Sequence, residues 1–328
     1  MNRRGFVALI GSALVAPLAR AQPSAEKPKR IGLLVQGSYA SRGHLDRALV
    51  EALREQGYVE GRNLVIERRY ADGGDRSRLR DFALELEGLK LDAVVTTCTP
   101  STQSMKEQTS STPIVMAVVT DPVGQRLIAS FAKPGSNVTG TSSQVEDILP
   151  KMLEYFAAVL PRSAAVAVLA DSRNPVHPRL WELTLKYGAA AGLGVTRYEI
   201  GRSNEIEGAI DAAARAGARG LFVLPDHPLF IDRRSEIVAA LGRHRLPGFY
   251  WAREFVEAGG LMSYGENIAG GWRRATTYVA RIMRGANPAD LPVEQPTRFE
   301  LVINMKTARA LGLTIPQSVL IRADRVIE

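Results

Sequence analysis

Cys98 is the only cysteine of the chain, and it lies within a run of hydroxyls, Thr96-Thr97-Cys98-Thr99-Pro100-Ser101-Thr102. A lone thiol cannot close an internal disulfide, build a cysteine-rich zinc site or supply the paired thiols of an amino-acid racemase. The 4 histidines are scattered, without metal-ligand spacing, and no phosphate loop or nucleophile elbow accompanies them. What the run does offer is hydrogen bonding at the start of a helix. Free N–H groups and the helix dipole there favour an anion by about 0.3–1 kcal/mol. Pro100 pre-sets the first turn. Thr97, Cys98, Thr99 and Ser101 are therefore candidate contacts for a carboxylate-bearing solute, and helix capping by Thr99 or Ser101 is compatible with that role.

Further candidates follow other apolar runs. Gln36-Gly37-Ser38-Tyr39 presents an amide, a hydroxyl and a ring, so Gln36, Ser38 and Tyr39 are included. In Thr120-Asp121-Pro122, Thr120 is a contact candidate, while Asp121 either accepts from a solute ammonium or forms a turn before proline. Asn174 lies in Asp171-Ser172-Arg173-Asn174-Pro175, and Asp226 in Pro225-Asp226-His227-Pro228. Asp226 is the expected partner of a positive solute group, because a buried ammonium needs a paired charge. His227, between Asp and Pro, is read as structural. Trp251 and Tyr264 suit ring packing against a planar solute; Tyr250 is expected to seal the interior and Glu254 to lie on a helix surface. The set describes a small zwitterion or carboxylate with an aromatic or planar part. No catalytic residue, metal ligand or cofactor is predicted.

Short apolar runs alternate with longer amphipathic stretches, the signature of parallel α/β structure. Strands are expected over 30–35, 64–70, 92–96 and 114–118, with helices over 44–57, 76–89 and 101–108. The pattern restarts after 138–140, with helices over 149–160, 178–192, 206–216 and 233–243 and strands over 165–169, 195–200, 220–224, 247–251 and 261–264. A late helix (269–285), a proline-rich stretch (288–296), a strand (299–304), a short helix (306–311) and a tail (320–328) follow. Two tandem α/β units predict two lobes, 29–140 with about 265–292 and 141–264 with about 293–328. Several crossings between them make a hinge. In parallel sheets the ligand crevice lies beyond the carboxyl ends of the strands, where the candidates sit.

Composition agrees with a soluble globular chain: 45% hydrophobic, 23% charged and a mean hydropathy of −0.06. The formal charge of +8 includes Arg3, Arg4 and Arg20 and is spread along the chain, unlike the dense basic stripe of a nucleic-acid reader. Residues 1–21 read as an export signal: basic Arg3-Arg4, an apolar stretch over 6–16, then Ala19-Arg20-Ala21 as a cleavage site. The stretch is shorter than the roughly 20 residues of a membrane span. The Sec and twin-arginine routes both fit Arg3-Arg4-Gly5-Phe6. The expected product is a monomer free in the periplasm, not membrane-embedded.

Several strings, in order, carry a resemblance: Gly57-Tyr58-Val59-Glu60-Gly61-Arg62-Asn63, Thr120-Asp121-Pro122-Val123, Lys133-Pro134-Gly135-Ser136-Asn137-Val138-Thr139-Gly140, Glu257-Ala258-Gly259-Gly260-Leu261-Met262-Ser263-Tyr264-Gly265 and Asp290-Leu291-Pro292-Val293-Glu294-Gln295-Pro296. From about Arg30 to Glu328 the chain resembles the ABC transporter substrate-binding protein family, whose better-known members are tryptophan or tyrosine receptors. Arg325 stands where that pattern has an acidic residue. The resemblance implies a two-lobed type I periplasmic-binding fold, each lobe a parallel sheet flanked by helices. It also implies hinge closure on a small-molecule solute and an ABC permease of the inner membrane as partner. A sensor accessory to a membrane kinase, or a receptor for a nucleoside or other planar solute, is the alternative.

Overall fold

The continuous apolar runs of the first half pair into one parallel sheet, as strands buried on both faces must. The elements are β1 (Lys29–Gln36), α1 (Tyr39–Glu55), β2 (Leu64–Ala71), α2 (Arg76–Gly88), β3 (Ala93–Thr96), α3 (Thr99–Gln108), β4 (Ile114–Val119) and β5 (Val138–Ser142). The sheet order is β2-β1-β3-β4-β5. Alternate residues of β1 face opposite sides. Ile31, Leu33 and Val35 pack with Leu45 and Leu49 of α1, while Leu34 packs with Leu79 and Leu86 of α2 and Met105 of α3. The structure, a computed structural model, describes residues 27–72, 76–225 and 228–328. The expected export signal, Asp226 and His227 lie outside the described residues.

The second half continues with α4 (Val145–Val159), β6 (Ala165–Asp171), α5 (His177–Ala190), β7 (Gly194–Ile200), α6 (Ile206–Arg215), β8 (Gly220–Val223), α7 (Pro228–Asp232), α8 (Arg234–Arg243), β9 (Gly248–Tyr250), α9 (Arg253–Glu257) and β10 (Met262–Gly265). Then come α10 (Ile268–Met283), β11 (Glu300–Asn304), α11 (Met305–Leu311), α12 (Gln317–Leu320) and β12 (Arg325–Ile327). The second sheet runs β12-β11-β10-β9-β8-β6-β7.

The chain passes between the two sheets where β5 leads to α4, where β10 leads to α10, and where 291–299 leads to β11. Helix α10 belongs to the first core: its Trp272 and Tyr278 are fully buried, and the helix packs on α1, β3 and β4. On the return, Glu294 pairs with the edge of β5 around Thr141, its O accepting from Ser142 N (2.8 Å) and its N donating to Gly140 O (3.0 Å). Strand β10 runs toward the crossover and β11 runs away from it, so among the described residues this pair alone within the second sheet is antiparallel. Among the described residues no helix is long and apolar enough to cross a membrane.

Local differences from the sequence reading have physical causes. Strand β5 was not anticipated because its segment, Val138-Thr139-Gly140-Thr141-Ser142, has little apolar character. Gly140 has φ +127°, and a Cβ there would stand 2.3 Å from the Met116 carbonyl oxygen. A Gly140→Ala protein is expected to lose about 2–4 kcal/mol of stability from backbone strain and overlap. Denaturant unfolding checks this; an unchanged midpoint would mean that β5 and β4 do not approach so closely. Helix α1 begins at Tyr39 rather than at 44, and α7, α9 and β12 arise in segments read as loop or tail.

Candidate functional site

Ser38 ends β1's loop and caps α1, its Oγ accepting from Ser41 N at 3.3 Å. The first turn of this helix turns inward with polar residues: Ser41 and Arg42 are buried. Asp232, at the end of α7 in the other lobe, reaches this turn. Its Oδ2 accepts the Ser38 N–H at 3.0 Å, and its Oδ1 accepts the Ser41 hydroxyl and lies 3.4 Å from Arg42 Nε. Arg42 Nη2 donates to the Pro228 carbonyl at 3.0 Å. The two side chains are only 7% and 8% exposed, so a buried ion pair spans the lobes. The N-terminal dipole of the 17-residue α1 adds to the attraction for the carboxylate. Gly37 makes the approach possible: its φ is +127°, and a Cβ would lie 2.9 Å from Asp232 Oδ2.

Beside this pair is a cavity of about 40 Å³. Arg42, Thr97, Cys98 and Val118 form its first-lobe wall; Pro228, Ile231 and Trp251 face them, with Ile268 at the crossover. Val118 has φ +63°, a left-handed conformation that costs a β-branched residue about 1–3 kcal/mol. The strain sits at a register shift between Met116 and Val119, and the Val118 N–H leaves the ladder for Thr141 Oγ1 at 3.1 Å. Bulges of this kind re-aim side chains beside sites. Larger hollows exist, about 290 Å³ beside α6 and α8 and about 450 Å³ at the amino ends of β6, β8 and β9. Neither is walled by both lobes; the first lies beyond β7 at the edge of its sheet, and the second lies at the ends of the strands opposite to those where parallel sheets bind ligands.

The structure brings Thr97, Cys98 and Trp251 together on the cavity wall and sets Gln36 behind them. Cys98 Sγ lies 3.3 Å from Gln36 Oε1 and from Ser101 Oγ. Ser101 is fully buried and caps α3: its Oγ accepts from Thr97 N (3.1 Å) and Cys98 N (3.2 Å) and donates to Cys98 O. Thr99 Oγ1 donates to Thr120 O at 3.0 Å, and the Thr120 and Ser143 hydroxyls share a 2.7 Å bond. Asp121 forms the turn, with φ +48° and Oδ1 accepting from Gly124 N at 2.9 Å. Asn174 is buried, its Oδ1 accepting from Val176 N. Tyr39 is 56% exposed and meets Tyr70 edge to face. Tyr264 packs edge to face on Tyr155, apart from the cavity. Tyr250 seals the interior, stacked on Phe255 at 4.5 Å.

Glu254 departs from its expected place on a helix surface. It is 8% exposed because α9 turns it toward α1, where His44 Nε2 lies 3.9 Å from its Oε1. That distance is too long for a hydrogen bond. Burial pushes the Glu254 carboxyl up, but the His44 imidazole, the residue's own backbone N–H and then the Arg253 guanidinium outweigh it and hold the group below the usual carboxylate range. A depressed carboxylate stabilises the fold above its unfolded pKa, near 4.3, and that contribution is lost as pH falls through the folded value. The melting temperature should therefore be level in this respect above about pH 5 and fall more steeply in wild type than in Glu254→Gln below about pH 4.3. Parallel pH profiles of the two proteins would refute the pairing. Burial, and then the nearby Asp121 charge, push Glu146 of α4 the other way, upward.

Arg42, Ser41 and Asp232 were not read from the sequence as site residues. A signal for Arg42 was present: it precedes Leu45 and Leu49 by one and two helical turns, which places a cation on the apolar face of α1. Asp232 carried no such mark, and its approach to α1 is visible only in three dimensions.

A family model described as ABC transporter substrate binding protein matches residues 31–327. A tyrosine-binding protein of Clostridioides difficile (strain R20291) is 25% identical over 289 residues, covering 88% of this chain and 82% of that protein. Among solved structures, an ABC domain in complex with L-Trp from Streptococcus pneumonia superposes with a TM-score of 0.85 at 28% identity, covering 92% of this chain and all of that one. A conserved domain protein from Vibrio cholerae reaches 0.83, also at 28% identity, over 92% of this chain and all of that one. The match of the family model over nearly the whole described chain, on a two-sheet α/β frame with an interlobe cavity, has one meaning: the chain belongs to the ABC transporter substrate-binding proteins, with their type I periplasmic-binding fold.

Proposed function

We propose that this protein is the exported, non-enzymatic receptor of an ABC uptake system for an aromatic amino acid or a closely related carboxylate solute. One observation carries the reading. A cation (Arg42), a hydroxyl-bearing strand end (Thr97) and an indole (Trp251) line a single cavity between the lobes. The tyrosine-binding relative and the L-Trp complex support the aromatic class. Lobe 1 comprises 29–140 and about 265–292, and lobe 2 comprises 141–264 and about 293–328.

A cavity of about 40 Å³ is small beside the roughly 300 Å³ of ordinary small-molecule sites. Solute entry therefore requires the lobes to part, with the three crossings as hinge. Bound solute then favours closure through its differential affinity for the closed form, and the inner-membrane permease reads that form. Micromolar affinity needs about 8 kcal/mol, within reach of a few charge-assisted bonds and one buried ring. Residues 1–21 direct export and are removed after about Ala21, leaving a periplasmic monomer.

A thermal-shift panel of amino acids, aromatic acids, nucleosides and sugars tests the reading on refolded chain. At a hundredfold excess over Kd the solute adds about 2.7 kcal/mol, a rise of several degrees for a protein of this size. Tryptophan, tyrosine or a relative should give it. A rise with sugars or nucleosides alone would overturn the solute class.

A further inference from the structure

We infer that Arg42 and Asp232 read the two charges of a zwitterionic solute, Arg42 taking its carboxylate and Asp232 its ammonium. The inference rests on the receptor reading above and names the residues that set its specificity. The pair is placed for such an exchange. Its members come from opposite lobes and sit deep in the cleft, each held in position by the facing lobe. Asp232 is oriented by the Ser38 N–H and the Ser41 hydroxyl, and Arg42 by the Pro228 carbonyl.

The pair is also loosely made. Among the described residues Arg42 Nε, which is buried, has no hydrogen-bond partner and stands 3.4 Å from Asp232 Oδ1, beyond the 2.7–2.9 Å usual for charge-assisted bonds. The contrast lies one turn further along α1. There Asp46 accepts from Arg68 Nε at 2.9 Å within a single lobe, a tight pair away from the cavity lining. Arg42, unlike Asp232, lines the cavity, so an entering carboxylate meets the guanidinium first.

Charge balance then selects the solute. When a zwitterion enters between Arg42 and Asp232, one ion pair becomes two and no charge is left alone. A solute with a carboxylate but no amine leaves Asp232, 8% exposed, without its counter-ion in the closed cleft, and an amine without a carboxylate does the same to Arg42. Leaving one member of a buried pair uncompensated is strongly unfavourable. Discrimination on the order of 100-fold against either analogue follows, since sites built for a polar group reject ligands that lack it by large factors.

The test is isothermal titration of tryptophan, 3-indolepropionate (no amine) and tryptamine (no carboxylate) into wild type, Asp232→Asn, Arg42→Gln and Ser41→Ala, with melting curves to verify folding. Wild type should prefer tryptophan to both analogues by about 100-fold. Asp232→Asn should cut the preference over 3-indolepropionate to below about 10-fold while still rejecting tryptamine, and Arg42→Gln should do the reverse. Ser41→Ala keeps both charges and only loosens Asp232. It should weaken amine selectivity by a few-fold, and it serves if the charge variants fail to fold. Tryptophan binding with these ratios unchanged in the variants overturns the assignment and leaves the receptor reading intact. If leucine or another zwitterion shows the same dependence, the aromatic class falls and the pair stands. An uncharged solute, or no binding by any zwitterion, overturns both.

Discussion

A Trp251→Ala protein should bind its solute about 100-fold more weakly than wild type, a loss near 2.7 kcal/mol. Trp251 follows β9, at the carboxyl end of a central strand, and the residue is 8% exposed. Phe255 supports it from 5.1 Å at a tilt, and Phe255 in turn stacks on Tyr250. The ring is thus held on a pre-built aromatic layer, so little ordering cost offsets the area it buries against a planar solute. Truncation also leaves a hole, costing about 3 kcal/mol of stability. Trp251→Phe separates the effects: it keeps most of the packing and should recover most of the affinity. Titration alongside denaturant unfolding reads both. Wild-type affinity in the folded alanine variant would remove the indole from the site.

Arg42→Met should have the larger effect on binding, a loss of about 1,000-fold or 4 kcal/mol. Methionine keeps much of the apolar stem but not the charge. Asp232 retains the Ser38 N–H and the Ser41 hydroxyl while losing its counter-ion, and closure around an anionic group then buries two carboxylates together. Stability should fall far less than affinity, because a pair that spans the cleft can be solvated when the lobes part. Titration and thermal melts on the same sample give the comparison. Affinity within three-fold of wild type would show that the solute does not use this cation.

The β-α alternation was plain in the sequence because buried parallel strands such as β1 and β6 are continuous apolar runs. Strand β5 escaped notice because the closeness of Gly140 to β4 replaces side-chain packing there. The Thr97-Cys98 start of α3 was legible as a strand-to-helix junction, and it does line the cavity. Its hydroxyls are nevertheless divided in use. Ser101 and Thr99 spend theirs on the main chain of the loop, which a linear pattern cannot separate from ligand contact. The start of α1 was harder. Its inner face is polar, so hydrophobic periodicity placed the helix one turn late and hid Arg42 in an apparent loop. Asp232 depends on which loop of one lobe meets which helix of the other, and no local pattern encodes that.

The most direct test is a crystal structure of the chain grown with the solute that the thermal panel selects. The solute is expected between Arg42 and Trp251, touching the Thr97-Cys98 loop, with the Arg42–Asp232 distance lengthened around it. The solute lying instead in the hollow beside α6 and α8, among Glu207, Glu236 and Arg243, with the Arg42–Asp232 pair undisturbed, would contradict that placement.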